Sequence, residues 1–349
     1  MKKSLIALAA LAATSAFAQS SVTIWGIADA GVAKQSQNGI SKTYLSSSGL
    51  SSSQLGFKGT EDLGGGMSAS FWLEAGQTID DGTAGGLKFA RRSTVDLNGS
   101  FGAIRLGRDY TPTFWSHTVF DPFGTLGSGA GSNITLTAFN GNGTTAARTN
   151  NGVSYLYNVP TNGGSHALGT TGFYAQLTHA FAENLSTAAA VNEYDGARVG
   201  YAAGPLNVAV ATGTTKTSAT AKDTATNLGA SYDLGVAKLT AFTVSTKIGL
   251  TNVTYKATEV GATIPMGAGY IPVSFATGSN NANAQKGEQF AIGYVYNFSK
   301  RTALYTAYSK ITNKNGAGYT FLGGNGGFNG GLTAAGNGTG FDLGLRHSF

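Results

Sequence analysis

The 349-residue chain contains no cysteine, which excludes a disulfide framework and a thiolate metal site. Proline is scarce, with 6 residues against 52 glycines, and the glycines follow no Gly-X-Y period, so a collagen-like triple helix is excluded. Charged residues make up 11% of the chain, whereas an average soluble domain contains about 25%. The composition is therefore unusual for a protein whose whole surface faces water.

Long apolar runs are also missing. No stretch beyond the amino terminus reaches the ~18 apolar residues that a transmembrane helix needs. At the amino terminus two lysines precede the short apolar segment Ser4–Ala16, and Ala16-Phe17-Ala18 fits the small-x-small cleavage rule. This pattern predicts a signal peptide over residues 1–18 and a mature chain that begins at Gln19. We therefore expect an exported protein without a helical membrane anchor.

The charge pattern also excludes several partners. The formal charge of +6 falls to +4 when the two lysines of the predicted signal peptide are removed, which leaves 21 bases against 17 acids. The bases are scattered, whereas nucleic-acid binding needs a clustered basic patch. The glycine runs neither follow a strand nor open a helix, as a nucleotide-binding loop requires. We expect no nucleic-acid partner, no metal and no cofactor.

What the chain does contain is a two-residue hydrophobic period, which is clearest in its last strand. Successive side chains of a β-strand point to opposite faces, so this period gives one apolar face and one polar face. A terminal aromatic fits a membrane barrel, whose apolar outer face meets lipid and carries aromatic girdles. The mean hydropathy of −0.03 is the average expected from such alternation. The apolar parity holds Phe341, Leu343, Leu345 and Phe349, and the other holds Asp342, Gly344 and Arg346.

The period returns in about sixteen segments, an even number as in bacterial barrels. Short connections alternate with long ones, which we predict at 34–52, 111–148, 180–195, 279–287 and 312–339. The sequence thus predicts an all-β fold: one transmembrane antiparallel β-barrel of 16 strands over residues 19–349, with short periplasmic turns and long extracellular loops. A β-sandwich would show domains of ~100 residues, and a β-helix would show a fixed repeat. Neither feature is present.

Four segments resemble the Gram-negative general diffusion porins, in particular the β-proteobacterial type: Gln19–Gly31, Ser53–Gly65, Phe101–Arg108 and Leu345–Phe349. The resemblance implies an outer-membrane homotrimer surrounded by lipid and lipopolysaccharide. It implies passive diffusion of small hydrophilic solutes and ions through a water-filled channel. It also implies a third extracellular loop that folds into the lumen and a terminal Phe349 that the barrel-assembly machinery reads.

The connection at about 111–148 is the predicted constriction loop, because a connection this long in a compact barrel is usually functional or disordered. Many general porins carry several acids on this loop, whereas this chain carries only Asp121. Arginines without opposing carboxylates favour anions, so we expect an anion-preferring channel for small polar or anionic solutes. The predicted constriction residues are Arg91, Arg92, Arg105, Arg108, Tyr110, Trp115, Asp121 and Arg148.

Parity assigns these arginines unevenly. Arg92 and Arg105 share the polar parity and are expected to face the lumen. Arg91 and Arg108 fall on the lipid-facing parity, where they could extend to the rim or be turned inward by a bulge. Other charged residues on polar parities are plausible lumen lining: Lys58, Glu74, Asp96, Arg198, Asp233 and Arg346.

Other functions fit the sequence less well. A hydrolase needs a base beside a nucleophile, and His117 is the one plausible base, without a recognisable nucleophile motif around it. An adhesin or phage receptor could use the glycine-rich loop at 312–339. A substrate-specific channel could use Tyr110 and Trp115 to select aromatic or carboxylate solutes, and the loop aromatics could instead form a trimer contact. We expect a channel and not an enzyme.

Overall fold

A computed structural model describes residues 21–82, 87–136, 147–161, 171–183, 191–322 and 336–349. The predicted signal peptide over residues 1–18 lies outside the described residues. The described part of the chain forms seventeen strands and two helices. The strands are β1 (Ser21–Gln37), β2 (Ile40–Ser47), β3 (Gln54–Gly64), β4 (Met67–Gly76), β5 (Arg92–Gly99), β6 (Gly102–Tyr110), β7 (Arg148–Tyr157), β8 (Gly172–Ala180), β9 (Tyr194–Ala203), β10 (Leu206–Lys216), β11 (Lys222–Asp233), β12 (Lys238–Lys247), β13 (Thr254–Met266), β14 (Gly269–Asn280), β15 (Lys286–Asn297), β16 (Thr302–Lys314) and β17 (Gly338–Ser348), and the helices are α1 (Pro112–Phe120) and α2 (Ser132–Thr135).

The sheet closes on itself. Each strand from β3 to β16 pairs antiparallel with the next strand along the chain. The last strand returns to β1, with a register that runs from Ile27 opposite Ser348 to Gln37 opposite Gly338. The backbones of Gly26 and Phe349 extend this seam with hydrogen bonds of 3.1 and 3.0 Å. The predicted closed antiparallel barrel is therefore confirmed.

The seventeen strands make sixteen positions around the barrel, because β2 and β3 share one position. Both pair with β1: β2 lies opposite Ala30–Gln37, and β3 lies opposite Ser21–Ile27. The chain leaves the sheet between them at residues 48–53. The backbone amides of Gly49, Leu50 and Ser51 all donate to the buried Asp29 carboxylate there. The predicted count of sixteen barrel strands is confirmed, with one of them interrupted.

The connection predicted at 34–52 is mostly strand, so that prediction was wrong. β1 continues to Gln37, and β2 begins at Ile40. Asn38 and Gly39 form the turn between them with φ angles of 50° and 79°. A two-residue turn with both φ angles positive matches the twist of the flanking strands and favours Asn-Gly. The tight hairpin replaces the expected long loop.

The two faces of the barrel differ as the sequence period predicts. Apolar side chains at alternate positions stay exposed on the outside, and polar side chains at the intervening positions are buried inside. Among the described residues, neither helix is long and apolar enough to cross a membrane. Exposed examples are Val22, Ile24, Val95, Ile104, Leu106, Leu228, Val260, Phe341, Leu343 and Leu345, and buried polar examples are Asp29, Glu74, Asp96, Arg105, Gln176, Arg198, Asn227, Glu259 and Asp342.

The outer face provides a stability prediction. Val260 lies near the middle of β13 and Met266 at its end, and both side chains are exposed on the same face. A charge at mid-bilayer depth costs ~2–4 kcal/mol, and a charge near the interface costs about 0–1 kcal/mol. We therefore expect Val260→Arg to lower the free energy of unfolding of the barrel in lipid vesicles by about 2–4 kcal/mol. Met266→Arg is the matched control, and equal costs for the two variants would contradict a lipid-facing assignment.

Candidate pore constriction

The long connection between Tyr110 and Arg148 contains both helices. Helix α1 begins at Pro112, where a missing backbone N–H is tolerated. Thr111 caps the helix, since its hydroxyl accepts a 3.2 Å hydrogen bond from the Phe114 amide. Residues 137–146 of the predicted constriction loop lie outside the described residues. We refer to residues 111–136 as the described part of the loop.

The described part of the loop follows the inner wall of the barrel. Helix α1 packs against β8–β12, and α2 packs against β13–β15. The Asn227 amide on β11 donates to the Thr113 carbonyl at 3.0 Å, and the Gln289 amide on β15 donates to the Gly129 carbonyl at 3.0 Å. Further along, Ser128 donates to Asp342 on β17. The loop is therefore folded into the lumen, as expected, and bonded to the wall from β11 round to β17.

One glycine makes room for this path. Phe120 is fully buried and packs directly on Gly229 of β11, where a Cβ atom would collide with its ring. Glycine is the residue that allows such a close approach inside a strand. The position of α1 against the wall therefore depends on the missing side chain at residue 229.

Gly229→Leu tests this dependence. The added side chain must push Phe120 and α1 away from the wall and into the lumen, at an overpacking cost of about 1–3 kcal/mol. We expect a lower single-channel conductance in planar bilayers than for the unmodified protein. Leu228→Phe, on the outer face of the same strand, is the control that should leave the current unchanged. An unaltered current in Gly229→Leu would show that the loop does not limit the channel.

Four of the predicted arginines lie close together around β5, β6 and β7: Arg91, Arg92, Arg105 and Arg148. Arg105 on β6 holds two carboxylates: its Nε lies 2.8 Å from Asp96 and its Nη1 lies 2.7 Å from Asp109. All three side chains are buried. Removing one partner of such a group leaves an uncompensated buried charge, which typically costs 3–5 kcal/mol. Arg105 thus has a clear structural function as the centre of a buried ion network.

Arg91 and Arg148 meet at Tyr110. The Arg91 Nη2 donates to the Tyr110 hydroxyl at 2.8 Å, and an Arg148 Nη2 donates to the same oxygen. The Arg148 guanidinium also lies over the Tyr110 ring, 4.1 Å from its centroid. Arg91 has a carboxylate partner in Glu74 at 2.6 Å, whereas Arg148 has no salt-bridge partner within the described ranges. We call Arg91 and Arg148, which meet at Tyr110, the arginine pair.

Arg92 lies beside this pair, against a tryptophan. Its guanidinium carbon is 4.7 Å from the centroid of a Trp72 ring, and the Lys58 ammonium is 4.8 Å from the centroid of a Trp72 ring. Arg92 also lies 3.8 Å from Asp109 and 3.9 Å from Asp96. A cation over an aromatic face is attracted by the ring quadrupole. Arg92 therefore extends the cluster of Arg105 toward β4.

Arg91 and Arg108 were both predicted on the lipid-facing parity, and the structure places them differently. Arg91 precedes β5 and turns inward to Glu74. Arg108 follows the outer face of β6 and donates to the Ala90 carbonyl at 2.6 Å. A bulge between Gly107 and Asp109 shifts the register beside it. Arg108 therefore does not join the contacts at Tyr110, although it is close enough to Arg148 to interact with it electrostatically.

Asp121 lies on the other side of the barrel from the arginines. Its carboxylate accepts hydrogen bonds from the Phe123, Thr125 and Gly131 amides at 2.7–3.0 Å, which shapes the turn after α1. It also contacts the Glu259 carboxyl on β13. Burial is the main cause that raises the pKa of Asp121 to about 6. The single acid of the loop therefore faces another carboxyl and not a row of cations.

The carboxylates near the arginines come from the wall and not from the loop. Glu74, Asp96 and Asp109 lie on β4, β5 and β6 and pair with arginines. Against the four arginines at 91, 92, 105 and 148, these three acids leave one net positive charge. Counting acids on the loop alone missed this compensation. Polar parity placed Glu74 and Asp96 in the lumen, but it did not pair them with the arginines.

Two further side chains of α1 have packing roles. Trp115 is buried, with its ring 5.2 Å from that of Tyr110. His117 is buried against Phe242 at 4.3 Å, and its Nδ1 lies 3.2 Å from the Thr135 hydroxyl. Burial lowers the pKa of His117 to about 3, so the imidazole is neutral at pH 7. The one histidine considered as a catalytic base is enclosed within the folded loop.

Two further cations, Lys238 and Arg346, lie near the turn that follows α1. A cavity of about 340 Å³ opens between the turn after α1 and the wall. Lys238, Tyr270 and Arg346 line it together with Asp121. Neither cation forms a salt bridge among the described residues. Two cations therefore share this cavity with the one acid of the loop.

Comparisons with known proteins agree with this architecture. A family model described as Gram-negative porin matches residues 4–316. Outer membrane porin protein 32 of Delftia acidovorans is 41% identical over 363 aligned positions that cover 100% of both chains. The solved structure of an anion-selective porin from Comamonas acidovorans aligns with a TM-score of 0.81 at 37% identity, over 95% of this chain and 100% of that one. Salmonella typhi OmpF shares the fold, with a TM-score of 0.67 at 15% identity over 94% of this chain and 97% of that one.

Proposed function

The chain belongs to the Gram-negative porin family and is an outer-membrane porin for passive diffusion, and we propose that its channel prefers anions because of the arginine pair. The predicted family, fold, function and outer-membrane location are thus confirmed, whereas the contribution of individual residues to selectivity is our proposal. The single observation that carries it is Arg148, a cation whose contacts among the described residues are a ring face, a hydroxyl and a carbonyl.

The geometry supports this proposal in three ways. The arginine pair lies beside β5–β7, whereas the two helices of the described part of the loop pack mainly against β8–β15. The aromatic ring of Tyr110 occupies one face of the Arg148 guanidinium, whose Nε and Nη2 donate to the Arg91 carbonyl and the Tyr110 hydroxyl, so Nη1 is the group that we assign to a passing solute. The loop supplies one acid, Asp121, and that carboxyl lies at β13. An anion therefore meets net positive charge at the waist of the channel.

The structural neighbour supports the same preference. The Comamonas acidovorans protein is described as anion-selective, and it shares 37% of its sequence and the whole barrel with this chain. We extend that selectivity to this chain as an inference. The residues that we assign to it are Arg91, Arg92 and Arg148, with Tyr110 and Trp115 as the aromatic groups that hold them and the loop. Arg105 contributes charge through its ion network, and we leave Arg108 out of the waist.

Liposome swelling tests passive diffusion and its charge preference together. Proteoliposomes are diluted into isotonic solutions of a neutral sugar, an anionic sugar acid and a cationic amino sugar of similar size. We expect swelling with all three and the fastest swelling with the anion. Equal rates for anion and cation would overturn the anion preference while leaving the porin function intact. Swelling with none of them would contradict the channel itself.

The assembly that we propose is a homotrimer in contact with lipopolysaccharide and outer-membrane lipid. Family resemblance supports it, and so does the apolar outer face of the barrel, which needs lipid or neighbouring subunits to cover it. The native mass of the detergent-extracted protein tests it, and a monomer in mild detergent would contradict it.

Export and insertion complete the proposal. We propose that residues 1–18 are removed as a signal peptide and that Phe349 is read by the barrel-assembly machinery. Amino-terminal sequencing of the membrane protein tests the first part, with Gln19 as the expected first residue. Phe349→Ser tests the second: we expect less inserted barrel in the cell and normal refolding into detergent. Normal insertion in the cell would overturn that part.

A further inference from the structure

Arg198 is a buried cation whose charge no described group neutralises. It lies on β9, its side chain points inward, and only 1% of the residue is exposed. Its Nε, Nη1 and Nη2 atoms are buried, and none of them has a hydrogen-bond partner within the described parts of the chain. This side chain is separate from the arginine pair, which donates to Tyr110, Glu74 and backbone carbonyls.

Two aromatic rings and an amide surround Arg198. The centroids of Trp115 and Tyr174 lie 5.9 and 5.7 Å from its guanidinium carbon. The residue opposite on β8 is Gln176, which is also 1% exposed and whose Oε1 atom is buried without a described partner. The residue opposite on β10 is Ala211, which has no polar side-chain atom. The group that we call the Arg198 box consists of Arg198, Trp115, Tyr174 and Gln176.

The box lacks an acceptor that the protein itself could provide. Asp109 is the one carboxylate that acts electrostatically on Arg198, but it already accepts from Arg105 and from the Tyr110 amide. The backbone on both sides of Arg198 belongs to the ladders with β8 and β10. Arginine does not lose its proton in proteins, so it cannot avoid the cost of burial by becoming neutral.

The energy that burial of Arg198 costs exceeds what the two rings return, which favours a bound anion. Burying an unpaired ion costs several kcal/mol after relaxation, and ring faces return about 2 kcal/mol or somewhat more when the cation is desolvated. The two rings therefore do not balance the cost. A bound anion would supply the missing charge and accept from several guanidinium nitrogens at once. A water beside it would supply the donor that Gln176 Oε1 needs.

We propose that the Arg198 box binds one small inorganic anion of the chloride class between α1 and the wall. The anion neutralises Arg198 and thereby keeps Trp115, and with it α1, against β8 and β9. This site is enclosed behind the constriction loop and is not part of the path that we assign to permeating solutes. It would exist whether or not the channel prefers anions.

Bromide identifies such a site directly. Crystals of the refolded full barrel are grown in sodium bromide, and anomalous difference maps are calculated at the bromine edge. We expect a peak at hydrogen-bonding distance from the Arg198 guanidinium and between the rings of Trp115 and Tyr174. A box without an anomalous peak, whether empty or holding only water, would overturn the proposal.

A matched pair of variants tests the same site in solution. Arg198→Met removes the charge but keeps an unbranched side chain, and Arg301→Met removes an exposed arginine next to β16. Unfolding rates in detergent are compared in chloride and in gluconate at equal ionic strength. For the unmodified protein and Arg301→Met we expect slower unfolding in chloride, by up to about tenfold when chloride is at ten times its Kd.

Arg198→Met should unfold at the same rate in both salts. A chloride effect that survives in this variant would place the anion elsewhere and overturn the proposal, as would equal rates in the two salts for the unmodified protein. If Arg198→Met does not fold, the bromide map and the salt comparison on the unmodified protein still decide.

Discussion

Arg148→Glu is expected to remove the preference of the channel for anions. The substitution changes the charge at the waist by two units and leaves Asp96, Asp109 and their arginines in place. Two unit charges about 4 Å apart in water interact with an energy of about 1 kcal/mol. A change of two units therefore shifts the energy of a passing monovalent ion by about 2 kcal/mol. This shift has opposite signs for chloride and potassium, which makes about 4 kcal/mol in their ratio, so the chloride-to-potassium permeability ratio should fall by up to about three orders of magnitude.

Reversal potentials across a potassium chloride gradient measure this change. Arg148→Lys keeps the charge and should retain most of the preference, although it loses the planar contact with Tyr110. Arg301→Glu is the control for a charge change far from the waist, since Arg301 is exposed at the turn between β15 and β16. An unchanged potential in Arg148→Glu would show that Arg148 does not face the permeation path.

Glu259→Gln is expected to stabilise the barrel at neutral pH. Asp121 and Glu259 are both buried, and their carboxyls are in contact. Two touching carboxyls cannot both ionise without strong repulsion, so the folded pair retains a proton that the unfolded chain releases. Glutamine has the same shape as protonated glutamate and keeps a donor toward Asp121, but it has no proton to retain.

The sign of the pH dependence follows from Asp121. Its pKa is raised from 3.8 to about 6, so its contribution to stability is complete below pH 4 and is lost as the pH rises through 6. A difference of this size corresponds to about 3 kcal/mol. Unfolding of the unmodified protein in detergent should therefore accelerate between pH 4 and pH 7.

The glutamine variant should show a weaker pH dependence and slower unfolding at pH 7 than the unmodified protein. Glu288→Gln is the control, because Glu288 is a carboxylate on β15 that pairs with Lys286 and Lys314 in solvent. Faster unfolding of Glu259→Gln at pH 7 would mean that the pair is not held by a shared proton.

The sequence predicted the barrel and its faces because both depend on one local rule. Side chains alternate along a strand, and lipid outside with water inside turns that alternation into an apolar and a polar parity. Phe341, Leu343 and Leu345 therefore predicted an outer face that the structure has. The Asn38-Gly39 hairpin also had a local signal, because an Asn-Gly pair favours a two-residue turn. The prediction of a long connection at 34–52 did not use that signal.

The constriction was harder to predict because its contacts join distant segments. Parity assigned Arg91 to the lipid face, but Arg91 precedes β5 and leaves the alternation that the rule assumes. The contact between Asp121 and Glu259 depends on the path of the loop across the lumen, and no spacing in the chain encodes that path. The same holds for Arg198, whose burial results from α1 lying over it.

The central claim is that this closed barrel conducts ions past a waist where arginines exceed their carboxylate partners. The most direct measurement is the zero-current potential of the unmodified, refolded protein in a planar bilayer with a potassium chloride gradient. The account predicts a conducting channel and a potential with the sign of chloride diffusion. A potential with the sign of potassium diffusion, or a membrane that passes no current, would contradict it.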